Sequence, residues 1–314
     1  MFLTKFPPPL KKGGTIGIVS PARWLAPNLI RKAASLLEKK GYKTVIHPQN
    51  YLRDGLLAGS DVERARAATD MFADDRIDAV MCTRGGGDAI RMLDKVDFRL
   101  IRRNPKPFIA SSDNTLLLQS IHEKCGFVTY HGPMMWNFAY PHHRRAEEDL
   151  LAVMHARKDL TLRFPNVECV RAGKAKGILT GGNITRLVLL TGTPYDWSSD
   201  DDAILFIEDV NEVLYKLDEK LHQMRLAGRF KYVKAVLVGE MIGIGDGETV
   251  HMRKGEKRYG RSLKQIFMEA LPPDIPLCFN FPCGHGKNMT TLPIGAKAQL
   301  TLNKSGATLK FKTR

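Results

Sequence analysis

The sequence predicts an α/β protein: a parallel sheet covered by helices, followed by a smaller mixed β/α region. Three observations predict it. From residue 15 to about 124, strand-length apolar runs alternate with amphipathic helical runs at βαβ spacing. Two of those strands run straight into small-residue turns, Gly85-Gly86-Gly87 and Ser111-Ser112. After a polar stretch, apolar strands and helices resume without the same regularity, and the tail alternates with period two.

Residues 15–20 (TIGIVS) form the first short buried strand. The next run places Leu29, Ile30, Ala33, Leu36 and Leu37 at helical spacing and closes on Lys39-Lys40-Gly41, cations then glycine, as helix C-termini prefer. Residues 43–47 return as a strand. Ser60 and Glu63 have the spacing of a capping box and open a helix with Val62, Ala65, Ala68 and Phe72 on one face. Residues 78–82 are a strand, Ala89, Ile90 and Leu93 lie on a further helix, residues 107–110 are a strand, and an apolar helix covers about 114–124. A sheet of this kind binds ligands at the carboxyl ends of its strands, where both small-residue turns lie.

The stretch from about 156 to 176 is polar and loses helical periodicity, so the expected division is 1–160, a linker over 161–176, and 177–314. Beyond it, a helix runs through Leu187 to Leu190. The strand 203–207 ends at Glu208-Asp209, and a helix carries Val213, Leu217, Leu221 and Met224 on one stripe. Another strand covers 233–239, a helix about 262–270, and a strand over 276–281 leads into Pro282-Cys283-Gly284-His285-Gly286. The tail reads as an antiparallel hairpin around Ser305-Gly306. A smaller sheet or a barrel accommodates this second set.

The chain has 314 residues, 43% apolar and 26% charged, which excludes a disordered or collagen-like protein. No run approaches the ~18 uninterrupted apolar residues of a membrane span. The opening MFLTKFPPPLKKGG has a lysine and three prolines where a signal peptide needs an apolar core, so a cytoplasmic protein is expected. The five cysteines (Cys82, Cys125, Cys169, Cys278, Cys283) are widely spaced and read as buried free thiols. The net charge is +15, from 48 Lys+Arg against 33 Asp+Glu. Its cations are scattered: Lys11-Lys12, Lys39-Lys40, Arg102-Arg103, Arg144-Arg145, Arg253 to Arg258 and Lys304 to Arg314. No nucleic-acid motif accompanies them, so neither a nucleic acid nor a membrane is an expected partner.

Four positions have chemical potential. Ser112, at a strand-to-helix turn, has the placement of an exposed nucleophile with helix N-terminal amides behind it. Ser112 or Asp113 serves equally as an ordinary helix cap. The glycines at 85–87 let backbone amides approach an anion, or simply make a tight turn. Their spacing is not that of a dinucleotide or P-loop motif. Glu208, at the end of a buried strand, suits a carboxylate that orients a histidine, or one that favours a following helix N-terminus. His285, between two glycines, is sterically free. His131 follows a strand and His142-His143 lies in a charged loop, and no zinc-ligand spacing occurs. Serine, histidine and carboxylate are the three types a hydrolytic relay uses.

At this point the chain resembles the LD-carboxypeptidases, a family that includes muramoyltetrapeptide carboxypeptidases and microcin C self-immunity proteins. The likeness runs through GTIGIVSPA (14–22), TRGGGDAIRMLD (83–94), KPFIASSDNTLL (106–117), YHGPM (130–134), GILTGGNITRLVLLTGTPY (177–195), ILFIEDVNEVLYKLD (204–218) and FPCGHGKNMTTLPIGAKAQL (281–300). It implies a flavodoxin-like doubly wound first domain with the nucleophile on Ser112. It also implies a swivelling, barrel-like second domain carrying Glu208 and His285. The oxyanion hole would use the N–H of Asp113 and one from Gly86 or Gly87. Two departures stand out: Ala110-Ser111 replaces the family's common Gly-Tyr, which makes Ser111 a rival hydroxyl, and Gly87 stands where a tyrosine is frequent.

The resemblance implies a serine hydrolase needing no metal or organic cofactor. Its small peptide substrate would be a murein tetrapeptide, cut at the L,D-amide before the terminal D-alanine in cell-wall recycling. The family is usually homodimeric. A microcin-type hydrolase of peptidyl- or aminoacyl-nucleotide amides is the alternative, with Trp136 and Trp197 as base-stacking candidates or plain rim and core aromatics. A non-catalytic anion- or nucleotide-binding module is the reading from another class.

Overall fold

The computed structural model describes residues 5–140, 144–156, 159–197, 201–246 and 259–312. His142-His143, the cations from Arg253 to Arg258 and Arg314 lie outside the described residues. The first sheet begins with β1 (Thr15–Val19), α1 (Pro27–Lys39), β2 (Lys43–Ile46), α2 (Asp61–Ala73) and β3 (Ala79–Cys82). It continues with α3 (Phe98–Arg103), β4 (Phe108–Ala110), α4 (Thr115–Cys125) and β5 (Thr129–His131), followed by α5 (Met135–Ala139) and α6 (Arg144–His155). The second half supplies β6 (Leu160–Phe164), β7 (Glu168–Arg171), β8 (Gly173–Asn183), α7 (Ile184–Leu190), β9 (Ala203–Glu208) and α8 (Leu214–Leu226). It ends with β10 (Val233–Glu240), α9 (Leu263–Ala270), β11 (Leu277–Gly284), β12 (Leu292–Ile294), β13 (Lys297–Asn303) and β14 (Gly306–Phe311).

The first sheet has the order β12-β5-β4-β3-β1-β2, with β2 to β5 parallel and β12 antiparallel against β5. The 2-1-3-4-5 order is the flavodoxin-like one, with its switch point between β1 and β3. The predicted α/β class and the alternation of elements are therefore present. Ser60 and Glu63 make the predicted capping box, and Gly41 turns left-handed just past α1. Val62 departs from its expected face: it is 59% exposed. The buried face of α2 centres on Arg64, Ala68 and Met71, which leaves Val62 near the opposite side. The helix expected around Ala89–Leu93 is a short 3₁₀ turn, held between left-handed Asp88 and Asp97, which caps α3.

The second sheet has the order β6-β14-β13-β8-β9-β10-β11-β7. Its four central strands, β8 to β11, are parallel, and antiparallel strands flank them. The stretch expected as an irregular linker instead supplies β6, β7 and the start of β8. These strands carry polar residues because β6 and β7 are the two edges of the sheet, where water reaches one side. Their inclusion gives this sheet eight strands against six in the first. The hairpin of the tail forms as predicted, β13 against β14 from Asn303 and Gly306 outward. Cys169 and Cys278 are directly opposed on β7 and β11, and all five cysteines are free thiols.

Two features join the halves. β12 leaves the second half and completes the first sheet. Gln119 of α4, fully buried, donates through Nε2 to the carbonyl of Gly181 at 2.7 Å and accepts from Thr180 Oγ1 at 3.3 Å. One continuous apolar core contains residues of both sheets, from Leu10 and Ile18 to Phe281 and Phe311. Because Gln119→Ala leaves these buried groups unpaired, it is expected to cost ~1–3 kcal/mol of unfolding free energy in urea. A midpoint equal to wild type would show that α4 is not fastened to β8 there.

Candidate active site

The carboxyl ends of the parallel strands in the two sheets face one another across a cavity of about 550 Å³. From the first sheet come the turn after β3, with Arg84, Gly85 and Gly86, and the turn after β4, with Ser111 and Ser112. From the second come Asn183 at the end of β8, Asp209 just past β9, and Gly284-His285 at the end of β11. Trp136 and Asn137 of α5, Thr185 and Arg186 of α7, and Glu212 complete much of the wall.

Ser112 sits in a 3₁₀ turn between β4 and α4 with φ 58°, in the left-handed region that a serine adopts only under constraint. Gly85 makes the turn possible. A Cβ there would lie 2.6 Å from both Cβ and Oγ of Ser112, and 3.1 Å from the backbone nitrogen of Asp113. Asn114 Nδ2 donates to the Arg84 carbonyl at 2.9 Å and ties the two turns together. Ser111 lies in extended backbone and is buried.

The relay candidates meet. Ser112 Oγ is 3.0 Å from His285 Nε2, and His285 Nδ1 is 2.7 Å from Glu208 Oε2. The carboxylate can only accept, so Nδ1 carries the hydrogen and Nε2 is left to accept from the serine hydroxyl. Glu208 is fully buried. Gly284, at φ 105°, lets the histidine loop pass over it, since a Cβ there would come within 2.8 Å of the Glu208 side chain. Burial by itself would lower the pKa of His285. The hydrogen bond to Glu208 and the charges of Glu208 and Asp209 outweigh it, so the imidazole titrates above the ordinary histidine range. Behind it, fully buried His131 has its pKa pushed down to about 3, by burial first and by His285 second, and its ring stands edge-on to Phe206.

Asp113 turns its carboxylate away from the cavity. Oδ2 accepts from the Ala89 N–H at 3.0 Å, and Oδ1 pairs with Arg186 Nε at 3.1 Å. Burial raises its pKa and Arg186 opposes that rise. Arg186 was not singled out by the sequence reading. It links α7 of one half to the serine turn of the other. Asp209 is likewise fully engaged, accepting from Asn183 Nδ2, Thr185 Oγ1 and the Val210 N–H at 2.8, 2.6 and 2.8 Å. Gly86 lines the cavity, whereas Gly87 does not: a Cβ on Gly87 would meet only the Arg23 side chain. Trp197 is buried in the core of the second half, and Trp136 lines the cavity with Arg84 over its ring. Among the described residues no group of three or more His, Cys, Asp or Glu side chains is arranged to hold a metal ion.

Residues 16–132 match the family description "LD-carboxypeptidase N-terminal domain", and residues 176–300 match "LD-carboxypeptidase C-terminal domain". The chain is 32% identical to the probable murein peptide carboxypeptidase of Bacillus subtilis, over 97% of this chain and 94% of that one. It is 25% identical to the microcin C7 self-immunity protein of Escherichia coli, over 96% and 94%. The solved muramoyltetrapeptide carboxypeptidase of Oxalobacter formigenes shares the fold, with a TM-score of 0.81, 24% identity and coverage of 95% and 98%.

Two outcomes follow from this geometry. For hydrolysis that needs neutral His285, kcat/KM rises with pH through a pKa above ~6.5. Glu208→Gln removes the charge that raises this pKa, so the acid limb moves to lower pH while the rate drops by ~10⁴-fold, as for a misoriented relay histidine. An unmoved limb would show that Glu208 does not set the imidazole's charge. Separately, Arg186→Met strands the buried Asp113 carboxylate and is expected to cost on the order of 2 kcal/mol in chemical denaturation. That figure is below the fully buried range because Arg186 is partly exposed. Adding Asp113→Asn should recover most of it.

Proposed function

The chain belongs to the LD-carboxypeptidase family and is a serine carboxypeptidase, and from that premise we propose that Ser112 is its nucleophile, His285 the general base and Glu208 the residue that orients the imidazole. The observation that carries this reading is the unbroken Ser112–His285–Glu208 hydrogen-bond chain, 3.0 and 2.7 Å long. Ser112 Oγ attacks the scissile carbonyl as its proton passes to His285 Nε2. The imidazolium, held by Glu208, then gives that proton to the departing amine. Water attacks the resulting acyl-serine with the same base, releasing the shortened peptide and restoring the hydroxyl. The oxyanion is assigned to the N–H of Asp113, the residue after the nucleophile, and to that of Gly86, which lines the cavity.

The substrate we infer is a murein tetrapeptide, cut at the L,D-amide before its terminal D-alanine. Relatives named for murein peptide and muramoyltetrapeptide cleavage support it. A recycling role places the enzyme in the cytoplasm, and the family resemblance implies a homodimer. The nucleophile would belong to a region 1–160 and the other two residues to 177–314. The microcin-type reading needs an aromatic face for a base. Trp197 is buried, and Trp136 already has Arg84 over its ring and Tyr140 packed against it, which favours a peptide.

Mass spectrometry of the products from a murein tetrapeptide tests this reading. Wild type should release D-alanine, Ser112→Ala should lower turnover by at least ~10³-fold with the fold intact, and Ser111→Ala should retain most of it. The reverse pattern between the two serines would sink the assignment.

A further inference from the structure

Two arginines line the cavity, and they differ in what they are bonded to. Arg186 is committed to buried Asp113. Arg84 has no carboxylate partner among the described residues; its guanidinium lies over the Trp136 ring, 4.9 Å from the centroid. Trp136 in turn packs on Tyr140, with centroids 4.8 Å apart. The backbone around Arg84 is fastened on both sides. Asn114, two residues after Ser112, donates to its carbonyl, and the Trp136 N–H donates to the preceding Thr83 carbonyl at 2.8 Å. The aromatic stack and these two bonds hold a planar fork at the rim of the serine turn.

This is an unfavourable place for an unpaired cation. Burial lowers the pKa of Arg84, and the like charge of Arg23 lowers it further. Arg23 packs over Gly86, and its Nε is buried with no hydrogen-bond partner among the described residues. Two guanidinium groups brought together without an anion cost free energy that a bound anion would return. Of the charged side chains on the wall, Asp209 and Glu212 are also spent, the latter on Lys220. The open capacity of the cavity is therefore for an anion, at one position.

We propose that Arg84, on the carboxypeptidase reading above, is the anchor for the free carboxylate of the leaving residue, with Arg23 strengthening the local positive field. A bidentate guanidinium–carboxylate pair next to the glycine turn fixes the last residue of the chain. The preceding carbonyl then lies over Ser112. A peptide whose end is an amide, or which continues beyond that residue, forfeits the charge-assisted bonds, which gives the enzyme its preference for chain ends.

The test compares kcat/KM for a tetrapeptide ending in free D-alanine and for the same peptide ending in D-alaninamide, with wild type, Arg84→Met and Arg84→Lys. Methionine keeps a side chain over Trp136 and removes the charge. Wild type should prefer the carboxylate by on the order of 10²-fold, and Arg84→Met should bring the ratio near unity by losing the carboxylate substrate alone. Arg84→Lys should fall between, having charge without the fork. If Arg84→Met does not fold, the ratio for Arg84→Lys decides, since a value equal to wild type rejects the anchor. A ratio unchanged in Arg84→Met, even with a slower overall rate, overturns the proposal and leaves the hydrolase reading standing. Wild type that cleaves neither peptide would overturn the substrate reading itself, and the anchor with it.

Discussion

The 3.0 Å contact between Ser112 Oγ and His285 Nε2 joins residues 173 positions apart in the chain. Such a bond contributes only about 1 kcal/mol net, too little to bring two halves of a protein together. It has to be delivered by structures that are stable without it. Here they are two sheets whose central parallel strands converge at their carboxyl ends. β4 delivers the serine, β9 the carboxylate and β11 the histidine, each on the first residues after a strand or on its last. α4 stands between the sheets. It starts three residues after Ser112 and is bonded through Gln119 to β8, so the turn that aims the hydroxyl is braced against the half that supplies the imidazole.

The same contact explains the local exceptions to ordinary backbone preference. A serine at φ 58° and a histidine over a buried carboxylate both need neighbours without side chains, and Gly85 and Gly284 are those neighbours. The carboxylate is fully buried, which favours a tight bond to His285 but costs desolvation. The same carboxylate outweighs the effect of burial on the imidazole and raises the pKa of His285.

Much of this was legible in the sequence, and the parts that were not share a cause. Alternation of strand and helix gave the first sheet, because each βαβ unit is local. The Ser111-Ser112 turn, the strand ending at Glu208 and the Gly284-His285 loop were each visible as small or polar residues at a strand end. Their meeting was not visible in any one of them, and rested on the resemblance of the whole chain. β6 and β7 escaped because edge strands lack the apolar pattern of buried ones. The pairing of β12 with β5 escaped because three residues carry almost no signal and the partner is about 160 positions away. Val62 was misplaced in phase, about a third of a turn from Ala68, since valine fits an apolar stripe by type and not by angle. Arg186 and Arg84 look alike as sequence letters. What separates them is the position of Asp113, a tertiary fact.

That separation also settles what the +15 charge means for the cavity. A field set by counting residues would be nearly neutral at this wall, with Arg84 and Arg186 set against Asp209 and Glu212. Counting misses the pairing. Arg186 neutralises a carboxylate that does not face the cavity, Glu212 is held by a lysine behind it, and Asp209 is covered by three donors. The residual charge an incoming molecule meets at short range is that of Arg84, with Arg23 nearby. The scattered surface cations act over a Debye length of roughly 8–10 Å and fade with salt, so they can attract any anion and position none. Orientation is left to Arg84, which lines the cavity beside the serine turn and, among the described residues, has no carboxylate partner.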